Sequence, residues 1–161
     1  MRAAASWVGA GCYREWPWPA GKADKADVLA RLPLFEHCTK KDLAQVAGVS
    51  VEQQFPAGAV LTREGHRGGL AYVILSGRAT ARRDGRRVGE LAAGDVVGEL
   101  SVIDGGVRTA TVSADDPVDA LVINDSDFGR IVRHSPRFTV ALLRTLAGRI
   151  RDADRRGDLR H

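Results

Sequence analysis

The residues best suited to chemistry lie between Val97 and Val112. Gly98 and Glu99 interrupt an apolar run, Gly105 and Gly106 form a paired-glycine loop, and Arg108 then enters the stretch Thr109-Ala110-Thr111-Val112. A carboxylate and a guanidinium set among apolar residues each need a partner, because an unpaired buried charge is costly. Two arrangements meet that need. Glu99 and Arg108 can bridge each other across the turn, or both can face a ligand that offers a donor to one and an anion to the other. Spacing alone leaves the two even.

Chemistry of other kinds finds little support. His37, His66, His134 and His161 stand singly, with no His-x-His pair and no glutamate at ligand spacing, so a metal-dependent enzyme is not expected. Neither a G-x-S-x-G elbow nor a Walker A loop occurs. Cys12 and Cys38 are far apart and outside any C-x-x-C, so they build neither a disulfide framework nor a zinc site and suit a reducing cytoplasm. A binding protein with no cofactor or metal, rather than an enzyme, is the expectation.

The elements that must position Glu99 and Arg108 come from a chain of 161 residues, enough for one domain with one sizeable core. Its composition, 44% hydrophobic and 27% charged, is that of a globular protein. No apolar run approaches the roughly 18 to 20 residues of a membrane span, which excludes membrane insertion. The formal charge of +4 is too small to indicate nucleic acid. Arginine far outnumbers lysine, which is confined to Lys22, Lys25, Lys40 and Lys41, and alanine is abundant, a bias that points to a high-GC bacterial genome. Residues 1–24 hold Trp7, Trp16, Trp18, Pro17 and Pro19 without helical or strand period, and read as a flexible tail. Their start imitates a signal peptide but is short and rich in Gly and Ala, so a cytoplasmic location is expected. The folded domain is expected over 25–157, with a short tail at 158–161.

Two short helices should open the domain: one over Asp27–Leu32 stopped by Pro33, and one opened by the capping box Thr39-Lys40-Lys41-Asp42 and ended by Gly48. From Val51 to Asn124, turn signals recur every 8 to 12 residues around apolar runs such as Leu70–Leu75. Asp84-Gly85 among them is a type I′ hairpin dipeptide. A helix capped by Ser126 then runs to about His134. Ser135-Pro136 opens a longer one, on which Phe138, Leu142, Leu143, Leu146, Ile150 and Ala153 form an apolar stripe. The fold class expected is mainly β: an antiparallel β-roll or jelly roll with short N-terminal helices and a C-terminal helix pair.

Gly98-Glu99-Leu100-Ser101, followed after a short gap by Arg108-Thr109-Ala110, resembles the phosphate-binding cassette of cyclic-nucleotide-binding domains, those of protein kinase A regulatory subunits and the catabolite activator protein. Tyr72–Gly77 resembles the family's strand before the first hairpin, and Gly94-Asp95 its turn into the cassette; the likeness extends from about Asp27 to Arg156. The resemblance implies that Arg108 pairs with a cyclic phosphate and that Glu99 accepts from the ribose 2′-hydroxyl. It implies that Gly98, Glu99, Leu100 and Ser101 form a short helix with backbone N–H groups toward the phosphate, Ser101 and Thr109 being main-chain donors. The Thr109 hydroxyl can also reach a guanine amino group, which keeps cGMP beside cAMP as ligand. Val97 stands where many relatives carry an aromatic residue. The last helix has no aromatic beyond Phe138, so Leu142, Leu146, Arg149 or Ile150 must cover the base.

The partners implied are a cyclic nucleotide, an effector protein that the sequence does not name, and a second copy met through the last helix. DNA binding is not expected from this chain, since no helix-turn-helix follows the long helix within it. Two alternatives compete: a degenerate β-roll that serves only as an interaction module, and the separated sensor half of a catabolite-activator-type transcription regulator.

Overall fold

The computed structural model describes residues 22–157. The tail reading of residues 1–24 with its three tryptophans falls almost entirely outside these residues, as does that of 158–161. Among these residues eight strands form two four-stranded antiparallel sheets. One sheet has the order β1 (Val51–Phe55), β8 (Val118–Asn124), β3 (Leu70–Ser76), β6 (Val96–Val97). The other has the order β2 (Val60–Thr62), β7 (Thr111–Ala114), β4 (Ala79–Arg83), β5 (Arg86–Leu91). Helices α1 (Lys22–Ala30), α2 (Lys40–Val49), α4 (Asp125–His134) and α5 (Pro136–Arg155) flank the roll, while α3 (Glu99–Asp104) lies within it.

Period-two alternation on the first sheet builds two cores at once. Ala71 and Val73 of β3, with Leu121 and Ile123 of β8, face the helices and meet Leu29, Phe35, Val46, Phe128, Ile131, Phe138 and Leu142. Tyr72 and Ile74, with Val118 and Ala120, face the second sheet and meet Phe55, Leu61, Leu91, Val112 and Ala114. A sheet covered on both faces has no solvent side, which is why Leu70–Leu75 and Val118–Ile123 read as continuous apolar runs. Phe138 sits in the helical core between two rings, stacked on Phe35 at 5.6 Å and edge-on to Phe128 at 5.9 Å. The β6 pair divides between the cores: Val96 joins the helical one and Val97 the inter-sheet one.

Local chemistry follows the sequence closely at two places. The Thr39 hydroxyl accepts from the Asp42 N–H at 3.1 Å while the Asp42 carboxylate accepts from the Thr39 N–H at 2.9 Å, closing the capping box. Asp84 and Gly85 take φ of 50° and 73°, the left-handed pair that a type I′ turn demands.

Four boundaries differ from expectation. The first helix begins at Lys22 and stops at Ala30, and Pro33 instead opens a 3₁₀ turn, Pro33–Phe35. Gly48 lies inside α2, which ends at Val49 because Ser50 passes straight into the extended conformation of β1 and needs no left-handed cap. Asn124, not Ser126, caps α4. It is the last residue of β8, and its Oδ1 accepts from the Asp127 N–H at 2.8 Å. The α5 stripe also splits. Phe138 and Leu142 are buried, whereas Leu143 and Ile150 are 59% and 60% exposed, because they lie around the helix from the docked face.

Candidate functional site

A cavity of about 580 Å³ opens between the second sheet, the segment after β6, and the last turns of α5. Its wall contains Gly98, Glu99, Leu100, Ser101, Arg108 and Thr109 from the predicted cassette, and Leu146, Arg149 and Ile150 from α5. Leu142 does not line it. At 3% exposed, that side chain packs in the helical core one turn before Leu146.

Arg108 is 7% exposed and is held by protein oxygens alone. Its Nη1 donates to the Gly98 carbonyl at 2.9 Å and to the Ser101 hydroxyl at 2.8 Å, and its Nη2 donates to the Leu70 carbonyl at 2.7 Å. A guanidinium carries five N–H donors, so three such bonds leave two N–H groups for another acceptor. Burial pushes the guanidinium pKa downward, against the opposing influence of Tyr72 and Glu99. Among the described residues no carboxylate forms an ion pair with it. The positive charge is fixed at a cavity wall without a counter-ion of its own.

Glu99 is 2% exposed and forms its ion pair with Arg149 of α5, which also donates through Nη2 to the Val96 carbonyl at 2.6 Å. Burial raises the Glu99 carboxyl above its ordinary range, with Arg149 and then Arg108 acting in the opposite direction. Burial prevails because the Arg149 side chain keeps 37% of its surface in water, which screens its charge. The mutual Glu99–Arg108 bridge, one of the two arrangements open from sequence, is therefore absent. Glu99 pairs with Arg149 of α5, and Arg108 is bonded to oxygens of Gly98, Ser101 and Leu70.

The local backbone explains how the guanidinium fits. Gly98 has φ of +80°, and a Cβ there would lie 2.2 Å from Arg108 Nη1 and 2.8 Å from the Leu70 carbonyl. On the other side, a Cβ at Gly68 would lie 2.2 Å from Arg108 Nε. The guanidinium thus occupies a slot between two glycines, of which sequence reasoning found only Gly98.

Other contacts had no sequence signal. The Ser101 hydroxyl holds Arg108 and donates to the Gly98 carbonyl at 3.1 Å, a side-chain role beside its expected main-chain one. Arg83 of β4 donates through Nε to the Thr109 carbonyl at 3.0 Å and lines the cavity. Glu90, Asp152, Ala153 and Arg156 complete the wall near α5. The site offers a fixed cation with free donors, a buried carboxylate, and a partly apolar roof. Such a set can hold a small anion that also carries a hydroxyl and a flat apolar group.

Comparison with known proteins gives a consistent result. Residues 52–135 match the cyclic nucleotide-binding domain family. A cyclic nucleotide-gated potassium channel of Rhizobium etli is 33% identical over 118 residues, 73% of this chain and 33% of the channel. A CRP-like cAMP-activated global transcriptional regulator of Mycobacterium tuberculosis is 29% identical over 130 residues, 78% of this chain and 58% of the regulator. The chain thus spans a third to somewhat over half the length of these relatives. A solved structure of cAMP-bound PfPKA-R shares the fold with a TM-score of 0.75 over 84% of this chain and 47% of that one, at 19% identity. Among the described residues no helix is long and apolar enough to cross a membrane.

Proposed function

The chain belongs to the cyclic nucleotide-binding domain family, and from that premise we propose that its cavity binds cAMP, with cGMP as the alternative ligand, and that the bound nucleotide regulates a partner through α5. Such domains are regulatory, and the chain is a sensor rather than an enzyme. The observation that carries this reading is the pair of buried opposite charges, Arg108 and Glu99, on one cavity wall with no bond between them. A cyclic phosphodiester bears one negative charge, and the two free N–H groups of Arg108 answer it as charge-assisted donors. The ribose 2′-hydroxyl then donates to Glu99, which it shares with Arg149. Leu146, Ile150 and Ala153 give the base an apolar roof in place of an aromatic ring. The cAMP preference draws support from the cAMP-bound structural neighbour and the cAMP-activated relative; the Thr109 hydroxyl supports cGMP as the alternative.

Binding at α5 reaches a partner through the side of that helix turned away from the cavity. Val140 and Leu143 are 46% and 59% exposed there, a surface suited to an effector protein or a second copy of this chain. Isothermal calorimetry with cAMP and cGMP tests the reading. Arg108→Ala should weaken binding by about 10- to 150-fold, from about 1.5 to 3 kcal/mol for a charge-assisted contact. Glu99→Ala should weaken the ribonucleotide and leave a 2′-deoxy analogue nearly unchanged. Unaltered affinity in a folded Arg108→Ala protein would remove the phosphate from that residue.

A further inference from the structure

The β4–β5 hairpin concentrates charge at its tip, where Arg82 and Arg83 precede Asp84-Gly85 and Arg86 and Arg87 follow it. The register sets Arg82 directly opposite Arg87 and Arg83 directly opposite Arg86. Like charges facing each other across an antiparallel ladder destabilise it. Arg87 is paired with Glu90 and Arg83 is bonded to the Thr109 carbonyl, but the side chains of Arg82 and Arg86 make no hydrogen bond or ion pair among the described residues. The tip is nonetheless held in place, since the Asp84 N–H donates to the Glu64 carboxylate at 2.9 Å.

Strand β5 is also the outermost strand of its sheet. One side of Arg86–Leu91 pairs with β4 and the other side with no strand among the described residues. An open edge is a template for another strand, and charges along it decide which strands it admits. A second copy of β5 laid antiparallel in full register would set Arg87 against Glu90 and Arg86 against Leu91, and would leave Arg82 without a carboxylate. A strand carrying carboxylates would relieve the repulsion already present within the hairpin.

We propose that the outer edge of β5 accepts an extended acidic segment of a partner protein as an added strand. Main-chain hydrogen bonds to Arg86–Leu91 supply the pairing, and Arg82 and Arg87, which the register sets on one face, take carboxylates of the incoming segment. Charge complementarity and the free edge favour a peptide over the other polyanions. A lipid surface usually calls for an apolar wedge beside the cations, and the exposed large apolar side chains of the described residues lie on other elements, none of them on β4 or β5. A nucleic acid has no peptide groups with which to use the edge.

The test is fluorescence anisotropy on the full chain with a labelled octapeptide of alternating Glu and Thr. It should bind, the matching Lys-Thr peptide should not, and the double substitution Arg82→Glu/Arg87→Glu should weaken it by about tenfold or more. Neither residue lines the cavity, so calorimetry with cAMP should be the same for this variant and the unaltered protein. A Glu-Thr peptide with alternate backbone nitrogens methylated keeps its charge but loses strand donors, and should fail to bind. Equal binding of the methylated peptide would overturn strand addition, as would tighter binding of phosphatidylserine vesicles or of a DNA duplex. Failure of every probe would leave the arginines as a guard against edge pairing and sink the proposal, whatever nucleotide the cavity binds.

Discussion

Glu99 shows how a single side chain carries both a site and a pH signature. Its ordinary pKa of 4.5 applies in the unfolded chain, and burial lifts it in the folded one against the pull of Arg149 and Arg108. The folded state therefore favours the protonated form. The stability this group contributes is fully present below the unfolded pKa and is lost as pH rises through the folded one. Melting temperatures of the protein and of Glu99→Gln, compared from about pH 4 to about pH 8, should show the difference, wild type minus variant, falling as pH rises. A constant difference would mean that the Arg149 pair cancels the burial penalty. Glu99 and Arg108 were legible in the sequence because charges inside apolar runs are expensive. Their actual partners were not. Arg149 lies 50 residues beyond Glu99, and Arg108 gives two of its three bonds to carbonyl oxygens that any sequence would supply.

At the scale of elements, the strands, the capping box at Thr39 and the hairpin turn at Asp84-Gly85 were readable because each depends on neighbours in sequence. Gly68 was not, since what it must avoid is the tip of a side chain 40 residues on, brought there by the pairing of the Arg67 and Val107 segments. That gives a substitution separating site from fold. Gly68→Ala places a methyl where Arg108 Nε now lies, and the guanidinium, as the far end of a side chain, moves more readily than backbone. The expected result is a small change in melting temperature with a loss of nucleotide affinity on the order of tenfold or more. An affinity equal to that of the unaltered protein would show that Arg108 can hold its ligand from another position. The apolar stripe of α5 was likewise visible as a period, but not its division into a buried part and an exposed part, because the period does not reveal where the sheet beneath the helix ends.

Over the whole molecule, α5 ties two regions together: Phe138 and Leu142 anchor its first half in the helical core, and Leu146, Arg149, Ile150 and Ala153 of its second half wall the cavity. A ligand shifts a conformational equilibrium only through its different affinities for the two states, so its influence should concentrate where the helix and cavity meet. Hydrogen exchange with and without saturating cAMP should slow over residues 146–156 and 98–109, while residues 136–142, already seated among Phe35 and Phe128, should not change. Protection confined to 98–109 would make the domain a passive receptor and remove α5 as the signalling element.

The two-residue strand β6 places a constraint of another kind on this molecule. Val96 and Val97 point into opposite cores immediately before Gly98 and Glu99. A period of two means that inserting or deleting one residue here would send each valine to the other side and swing the carboxylate out of the cavity with them. Side chains around the cavity can therefore be exchanged to reshape it, while the number of residues between Asp95 and Glu99 cannot drift. In this stretch length is the rigid quantity and identity the adjustable one.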